Sequence, residues 1–287
     1  MHTFTGFTED TFSFFMMIAF NNTPSCFEQN RPAFQAHVLT PLKALSNALA
    51  PTMMAIDPQM DLRPVMGGTI SRIRRDTRFT RDKSPYRDNM WLEFRRKREQ
   101  GHFGLYFDLS PRGADCGIGV HGLTPSQMTL LRQHILANGA RYKALHLEVV
   151  SAGFSLHGSR YKRPPLRSDD PILMDVVSRK WLAYEKPISL QQTMQPALVD
   201  QLAEDFRTLQ PLYSFFQMCI RDRNILYKRW MRRLSTLRLS ASNPGMPAII
   251  VTPILSEKIA NKNAFRMMAN HRGRQACQCW MSCKRKT

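Results

Sequence analysis

The chain has 287 residues, and 43% of them are hydrophobic, so it is long enough to bury one large core or two small ones. Its formal net charge of +19 makes a polyanion the first candidate partner. The charge is unevenly distributed, because residues 218–287 contain 15 of the 41 basic residues and only 2 of the 22 acidic ones. The body of the chain is therefore mildly basic, which weakens the case for a nucleic-acid protein.

Cysteine usage and hydropathy indicate the compartment. Cys26 and Cys116 are far apart in the body and do not make a disulfide framework, which favours a reducing environment. The apolar stretch 11–20 is shorter than the roughly 20 residues that cross a bilayer, and it lacks the basic flank of a signal peptide. We predict a cytoplasmic protein with no membrane partner, and the oligomeric state stays open.

The C-terminal tail has the features of an added segment. Its first residues, "MCIRDR" (218–223), resemble the translation of a transposon adapter used to prepare DNA sequencing libraries. The residues after them show no sustained hydrophobic period, and Cys277, Cys279 and Cys283 lack the paired spacing of zinc ligands. We interpret 1–216 as a single domain and 217–287 as a basic tail that is non-native or disordered.

The first elements in chain order are helical. Thr8 is suited to cap a helix over 9–20, with acidic residues in its first turn. A second helix begins near 30, and Pro41 is expected to kink or divide it. Residues 50–59 are expected to form a connector.

The pattern changes to alternation between 67 and 123. The segments "GGTISRIRRD", "NMWLEFRRKR", "HFGLYFDLS" and "DCGIGVHGL" are predicted strands, and the third is expected to be buried on one face only. Short turn-like links between the later segments favour antiparallel pairing.

Helices return in the last part of the body. Helices are predicted from 125, over 140–151, over 171–181 and over 196–209, with a short strand or loop at 153–160 and a strand at 181–188. This order predicts an α+β fold, with an antiparallel sheet of about four to six strands packed against N- and C-terminal helices.

The segment "RIRRDTRFTRDKSPYR" (72–87) carries the densest charge in the body. Candidate ligand-binding residues are Arg72, Arg75, Asp76, Arg78, Asp82, Lys83, Tyr86 and Arg87, together with Lys162 from "YKRPP". One hypothesis is a pocket for a small anionic, phosphorylated ligand, because arginine forks bind such groups through two hydrogen bonds. The alternative is an internal lattice of salt bridges. Whether Lys162 and Lys180 approach this segment stays open.

A nucleic-acid surface is a third and less favoured interpretation. Phe79, Tyr86, Trp91 and Phe94 interleave with the basic residues and could stack on bases.

Enzyme signatures are weaker still. The glycines near 117–122 lack the strand–turn–helix setting of a phosphate loop, and the histidines have no ligand spacing. We assign no catalytic residue, cofactor or metal, although His121 with Asp108 or Asp115 could form an acid–base pair.

Several stretches in order carry a family resemblance. They include "FTGFTEDTFSFF", "NNTPSCFEQNRPAF", "RIRRDTRFTRDKSPYR", "GLYFDLSP", "GIGVHGLTPSQMTLLRQHI", "YKRPPL" and "LMDVVSRKW". Through them, residues from about 3 to 216 resemble a bacterial family of conserved hypothetical proteins, domain of unknown function 2461. The resemblance implies a domain boundary near 216 and brings no established activity.

Overall fold

The structure is a computed structural model that describes residues 3–96, 103–120 and 123–217. Contacts divide the chain into two units, Met1–Phe216 and Gln217–Thr287, and the described residues belong to the first unit except for Gln217. The rest of the tail lies outside the described residues. So do His121 and the end of the second predicted strand, at 97–98.

The N-terminal part is helical. Its elements are α1 (Glu9–Phe20), α2 (Pro24–Gln29), α3 (Arg31–Ala33), a π-helical turn (Phe34–Leu39) and α4 (Thr40–Ile56). Helix α1 has the predicted bounds. Thr8 is extended before it, and Glu9 and Asp10 lie in its first turn, where the helix dipole favours negative charge. The aromatic face of α1 is buried, with Phe15 fully covered.

Two prolines behave differently from each other in this region. Pro41 lies in the first turn of α4, directly after the π-helical turn that interrupts the α-helical geometry, as expected for a divided helix. The predicted connector 50–59 is wrong, because α4 continues through Pro51 to Ile56. An interior proline costs about 3 kcal/mol, and the full burial of Leu49 and Met53 on either side of it offsets that cost.

A five-stranded antiparallel sheet lies at the centre of the described part. Its strands are β1 (Met90–Phe94), β2 (Phe103–Ser110), β3 (Gly113–Val120), β4 (Ser155–His157) and β5 (Leu182–Ile188). Their spatial order is β1-β2-β3-β5-β4, and every pairing is antiparallel. The α+β prediction is confirmed, and the strand number falls within the predicted four to six.

The first predicted strand, at 67–76, is not a strand. Residues 69–75 run beside β1 but form only isolated bridges, Ile70 with Leu92 and Arg74 with Tyr86. A regular ladder does not form because the chain turns tightly before the segment, where the N–H of Gly67 donates to the carbonyl of Ile70 over 2.8 Å. Further along the segment, the N–H of Arg75 donates to the carbonyl of Pro85. Pro85 has no N–H to donate in return, so the ladder does not continue there.

Strand β2 is buried on both faces, which corrects the half-buried prediction. Leu105 and Phe107 face the helices, as the alternation predicts. On the other face Tyr106 is also buried, and its hydroxyl donates to a carboxylate oxygen of Glu185 over 2.8 Å. Gly117 pairs with Tyr106 on one side and with Glu185 on the other, so this hydrogen bond crosses the sheet over Gly117.

The remaining helices complete the layer over the sheet. They are α5 (Pro125–Ala137), α6 (Gly139–Ser151), α7 (Pro171–Val177), α8 (Leu190–Thr193) and α9, which covers 198–217. Helix α7 ends four residues earlier than predicted, so Lys180 lies after the helix. Helix α9 extends past the predicted end at 209, and its Phe206 ring meets Phe94 of β1 with 6.1 Å between centroids. Within the described residues, no helix has the length and hydrophobicity to cross a bilayer.

Candidate anion-binding site

Segment 72–87 forms an extended strand-like run, a loop at 76–84 and a return at 85–87. Arg75 and Asp82 join the first two parts, because Nη1 of Arg75 donates to the carboxylate of Asp82. Asp82 also accepts from the backbone N–H of Ser84 at 2.9 Å and from its hydroxyl at 2.6 Å. The hydrogen bond from Arg75, followed by those from Ser84, holds the pKa of Asp82 well below its ordinary value.

The tip of the loop has its own contacts. Arg78 donates two hydrogen bonds to Asp76, at 2.8 and 2.6 Å, and its guanidinium lies 5.7 Å from the ring centroid of Phe79. Nζ of Lys83 donates to the carbonyl of Thr77 at 2.9 Å. Arg78 and Lys83 therefore contact groups within the same loop, as expected if the charges of this segment are used internally.

Tyr86 and Arg87 are engaged with the body of the protein. The backbone of Tyr86 exchanges two hydrogen bonds of 2.9 Å with the side chain of Asn22, and its ring stacks on Phe27 at 4.3 Å. Nη1 of Arg87 donates to the carbonyls of Arg72 and Arg74, each at 2.8 Å. The ring of Tyr86 therefore holds the return at 85–87 against α2, and Arg87 ties this return to the first run of the segment.

Arg72 is placed differently, because its side chain lines a cleft of about 300 Å³. The charged residues around this cleft, here called the arginine cleft, are Arg63, Arg72, Arg95, Arg96, Asp61 and Glu93. Gly67 and Gly68 form part of its wall. A Cβ atom at Gly67 would lie 3.1 Å from two guanidinium nitrogens of Arg72, so the glycine allows the arginine to lie across the loop backbone.

Most of the charges of the arginine cleft are paired with one another. Arg63 donates to both oxygens of Asp61, at 2.8 and 2.6 Å. Nε of Arg95 lies 3.1 Å from a carboxylate oxygen of Glu93. Across the part of the chain that the structure describes, Arg72 forms no salt bridge, so the cleft has an excess of positive charge at this residue.

Arg96 connects the cleft to the core. It donates to both oxygens of Asp57, at 2.6 and 3.0 Å, and the hydroxyl of Tyr213 donates to the same carboxylate. Burial alone raises the pKa of Asp57, and the hydrogen bonds from Arg96 and Tyr213 outweigh it, so this pKa lies below its ordinary value. The contact fixes the C-terminal end of α4 against β1 and α9.

Lys162 does not join the other candidates. It follows β4, which forms one edge of the sheet, whereas segment 69–75 runs beside β1 at the opposite edge. Four strand spacings of about 4.8 Å separate these edges. Lys180 lies near Lys162, since its N–H donates to the carbonyl of Ser159 at 2.7 Å.

The structure also bears on the aromatic residues of the nucleic-acid interpretation. Tyr86 and Phe94 are buried and are not available for stacking on a base. Phe79 is 52% exposed, and Trp91 is half-buried beneath the guanidinium of Arg87 at 5.1 Å. The exposed aromatic surface of this segment is therefore smaller than the sequence suggests.

Other candidate chemistry is limited. Cys116 is fully buried, and burial raises the pKa of its thiol well above the ordinary value, with the charge of Asp205 as a second cause. Within 3–96, 103–120 and 123–217, no group of three His, Cys, Asp or Glu side chains has the arrangement of a metal site. The suggested partner of Asp108 or Asp115, His121, lies outside the described residues.

Sequence reasoning missed three of the four arginines of the cleft. Arg95 and Arg96 belong to "FRRKR", which resembles an exposed strand end. Both are largely buried, each with a side chain 20% exposed. No local signal indicated this, because Asp57, the partner of Arg96, lay in the segment 50–59 that the sequence assigned to a connector.

Comparison with known proteins identifies the family. The family model described as "Conserved hypothetical protein (DUF2461)" matches residues 10–215. No curated protein matches the chain at a significant level. The match covers α1 through nearly the whole of α9, including the arginine cleft and segment 72–87. The chain therefore belongs to the conserved hypothetical protein family DUF2461.

Proposed function

We propose that the protein binds a small anionic ligand of the phosphate class in the arginine cleft. The observation that supports this proposal is the composition of the wall, in which four arginines face two carboxylates. Asp61 and Glu93 are each paired with one arginine, and Arg96 is paired with Asp57. Among the four arginines of the cleft, Arg72 is the one that forms no salt bridge with a described residue, so an anion would meet its free guanidinium.

The size and geometry of the cleft suit a small ligand. Binding pockets for small molecules have volumes of roughly 300–1,000 Å³, and this cleft is at the lower end of that range. A planar guanidinium offers two parallel N–H groups that match two oxygens of a phosphate or carboxylate. The guanidinium of Arg72 lies against Gly67, where a Cβ atom would come within 3.1 Å of two of its nitrogens.

Titration calorimetry of the full chain against inorganic phosphate, pyrophosphate and citrate tests the proposal at a fixed, near-physiological salt concentration. Arg72→Ala is expected to weaken binding about tenfold or more, the loss expected for one charge-assisted pair of hydrogen bonds. Arg81→Ala is the matched control, because it removes the same charge from an exposed position in the same segment. Thermal melting adds a second measurement, since a ligand at a hundred times its dissociation constant contributes about 2.7 kcal/mol.

The competing interpretations predict other results. If none of the three anions binds, or if both variants weaken binding equally, the cleft is not the site and the charges serve the structure. A short single-stranded oligonucleotide completes the experiment. Binding of the oligonucleotide alone, with a loss in Phe79→Ala, would support the nucleic-acid interpretation in place of ours, because Phe79 is the exposed ring beside Arg78.

We place the protein in the cytoplasm as part of the same proposal. Cys26 and Cys116 are both free and buried, which supports a reducing environment. Fractionation of cells that express the native gene would test it, and recovery outside the cytoplasm would contradict it.

A further inference from the structure

Arg132 is a buried cation on α5. Its side chain is 2% exposed, and within the described ranges no carboxylate forms a salt bridge with it. Nη2 donates to the carbonyl of Arg179 over 2.6 Å, and the buried Nε has no hydrogen-bond partner. A buried charge without a counter-charge is strongly unfavourable, so this position needs an explanation.

The charges around Arg132 do not neutralise it. The nearest acidic group in its hydrogen-bond network is Asp175, which accepts from Arg179 at 2.9 Å and from Arg160 at 2.6 Å. Both oxygens of that carboxylate are therefore used by other arginines. Nε of Arg179 is also buried without a partner. In this region positive charge exceeds negative charge on the residues that the structure describes.

Tyr161 covers the site. Its ring centroid lies 5.4 Å from the guanidinium carbon of Arg132 and 5.7 Å from Nζ of Lys180. The ring face partly offsets the two charges, but a cation–π contact is weaker than a buried ion pair with good geometry. The N–H of Tyr161 donates to the carbonyl of Ser178 over 2.8 Å, so the backbone is held while the side chain, 37% exposed, can rotate into solvent.

From this geometry we infer that Arg132 anchors a second anion-binding site, in which an oxyanion displaces the ring of Tyr161 and binds between Arg132 and Lys180. Arg132 supplies a planar fork for two oxygens, and Lys180, whose ammonium group also lies over the ring of Tyr161, supplies a point charge. The site lies beside β4, whereas the arginine cleft lies beside β1 at the other edge of the sheet. The inference is therefore independent of the proposed function.

Calorimetric titration of the full chain carrying Arg72→Ala, which weakens binding in the arginine cleft, tests this site with inorganic phosphate and acetate as separate probes at fixed ionic strength. Arg132→Met is expected to weaken binding about tenfold or more, and Lys180→Gln about threefold to tenfold, since each removes one charged contact. Tyr161→Ala is expected to tighten binding severalfold, because the anion no longer has to displace the ring. Arg81→Ala, which lies in another segment, should leave the affinity unchanged.

In a ligand site, Tyr161→Ala raises the affinity for the anion while Arg132→Met and Lys180→Gln lower it. This difference in sign distinguishes a ligand site from a structural role. A purely structural cluster would lower the melting temperature in all three variants without raising the affinity in Tyr161→Ala. If Arg132→Met does not fold, Lys180→Gln and Tyr161→Ala still test the inference. Both residues are exposed, so these two variants are expected to fold. The inference is overturned if neither probe binds the Arg72→Ala protein. It is also overturned if Tyr161→Ala binds no tighter, or if a folded Arg132→Met protein binds as well as its parent.

Discussion

The guanidinium group of Arg75 donates a hydrogen bond to the carboxylate of Asp82, and this contact ties the extended segment beside β1 to the loop at 76–84. The side chain of Arg75 is largely buried, so it needs a partner of opposite charge. Asp82 supplies that partner and also accepts two hydrogen bonds from Ser84. The loop is therefore held in shape by its own charges.

Asp82→Asn is expected to lower the free energy of unfolding by about 1–3 kcal/mol at pH 7, because it leaves a largely buried guanidinium without its counter-charge. Asp76→Asn is the matched control. It breaks the pair with Arg78, in which both side chains are exposed, and should cost about 1 kcal/mol or less. Urea denaturation of the full chain measures both. Equal losses in the two variants would contradict the structural role of Asp82.

The same pair predicts a dependence of stability on pH. The pKa of Asp82 is lower in the folded protein than its ordinary value of about 3.9, so the unfolded chain takes up a proton first as the pH falls. The stability that Asp82 contributes is fully present above about pH 5 and is lost as the pH falls through the folded pKa. The stability difference between the native protein and Asp82→Asn should therefore shrink in acid. A difference that is constant down to pH 2 would argue against the linkage.

A second test concerns the contact of Asp57 with Arg96 and Tyr213. Tyr213→Phe should lower the free energy of unfolding by about 1–2 kcal/mol, because one buried hydrogen bond to a charged group is lost. Asp57→Asn should cost more, about 3–5 kcal/mol, since it removes the charge that neutralises Arg96. Tyr161→Phe is a control for the hydroxyl group, because Tyr161 is exposed, and should lie within about 0.5 kcal/mol. The reverse order of the first two losses would contradict the role of Asp57.

Cysteine reactivity provides a test of the core. Cys116 is fully buried, and both burial and the neighbouring Asp205 raise the pKa of its thiol. Alkylation by iodoacetamide, followed by peptide mass spectrometry, should show protection of Cys116 in the native chain on the order of a thousandfold relative to the chain in urea. The reason is that reaction requires the rare unfolded state, typically a fraction of about 10⁻³ or less. Rapid labelling of the native protein would mean that this face of β3 is open.

Local patterns were sufficient to predict most elements. Alternation of apolar residues identified β2 and β3, and Thr124 followed by Pro125 marked the start of α5, where the Thr124 side chain accepts from the N–H of Gln127. These signals succeed because they depend on neighbours in the chain. The pairing of Arg75 with Asp82 was available for the same reason, since the two residues are seven positions apart.

Features that depend on distant segments were not predictable. Helix α4 passes through Pro51 because Leu49 and Met53 are buried by other elements, and no local rule contains that information. The arginine cleft brings residues near 61–72 together with residues 93–96 across the β1 edge. Lys162 was grouped with segment 72–87 by charge alone, and the strand order puts it at the other edge of the sheet.

The contact between β3 and β5 supports a last prediction, at Gly117. A Cβ atom at this position would lie 1.9 Å from the carbonyl oxygen of Tyr184, and the obstructing atom belongs to the backbone of the neighbouring strand. Gly117→Ala must therefore separate the two strands and is expected to cost at least about 3 kcal/mol. In Gly139→Ala the nearest atom is the end of the flexible side chain of Leu173, so the change should stay within about 1 kcal/mol. Denaturant unfolding of both variants measures the difference, and a fully stable Gly117→Ala protein would show that β3 and β5 do not pair in this register.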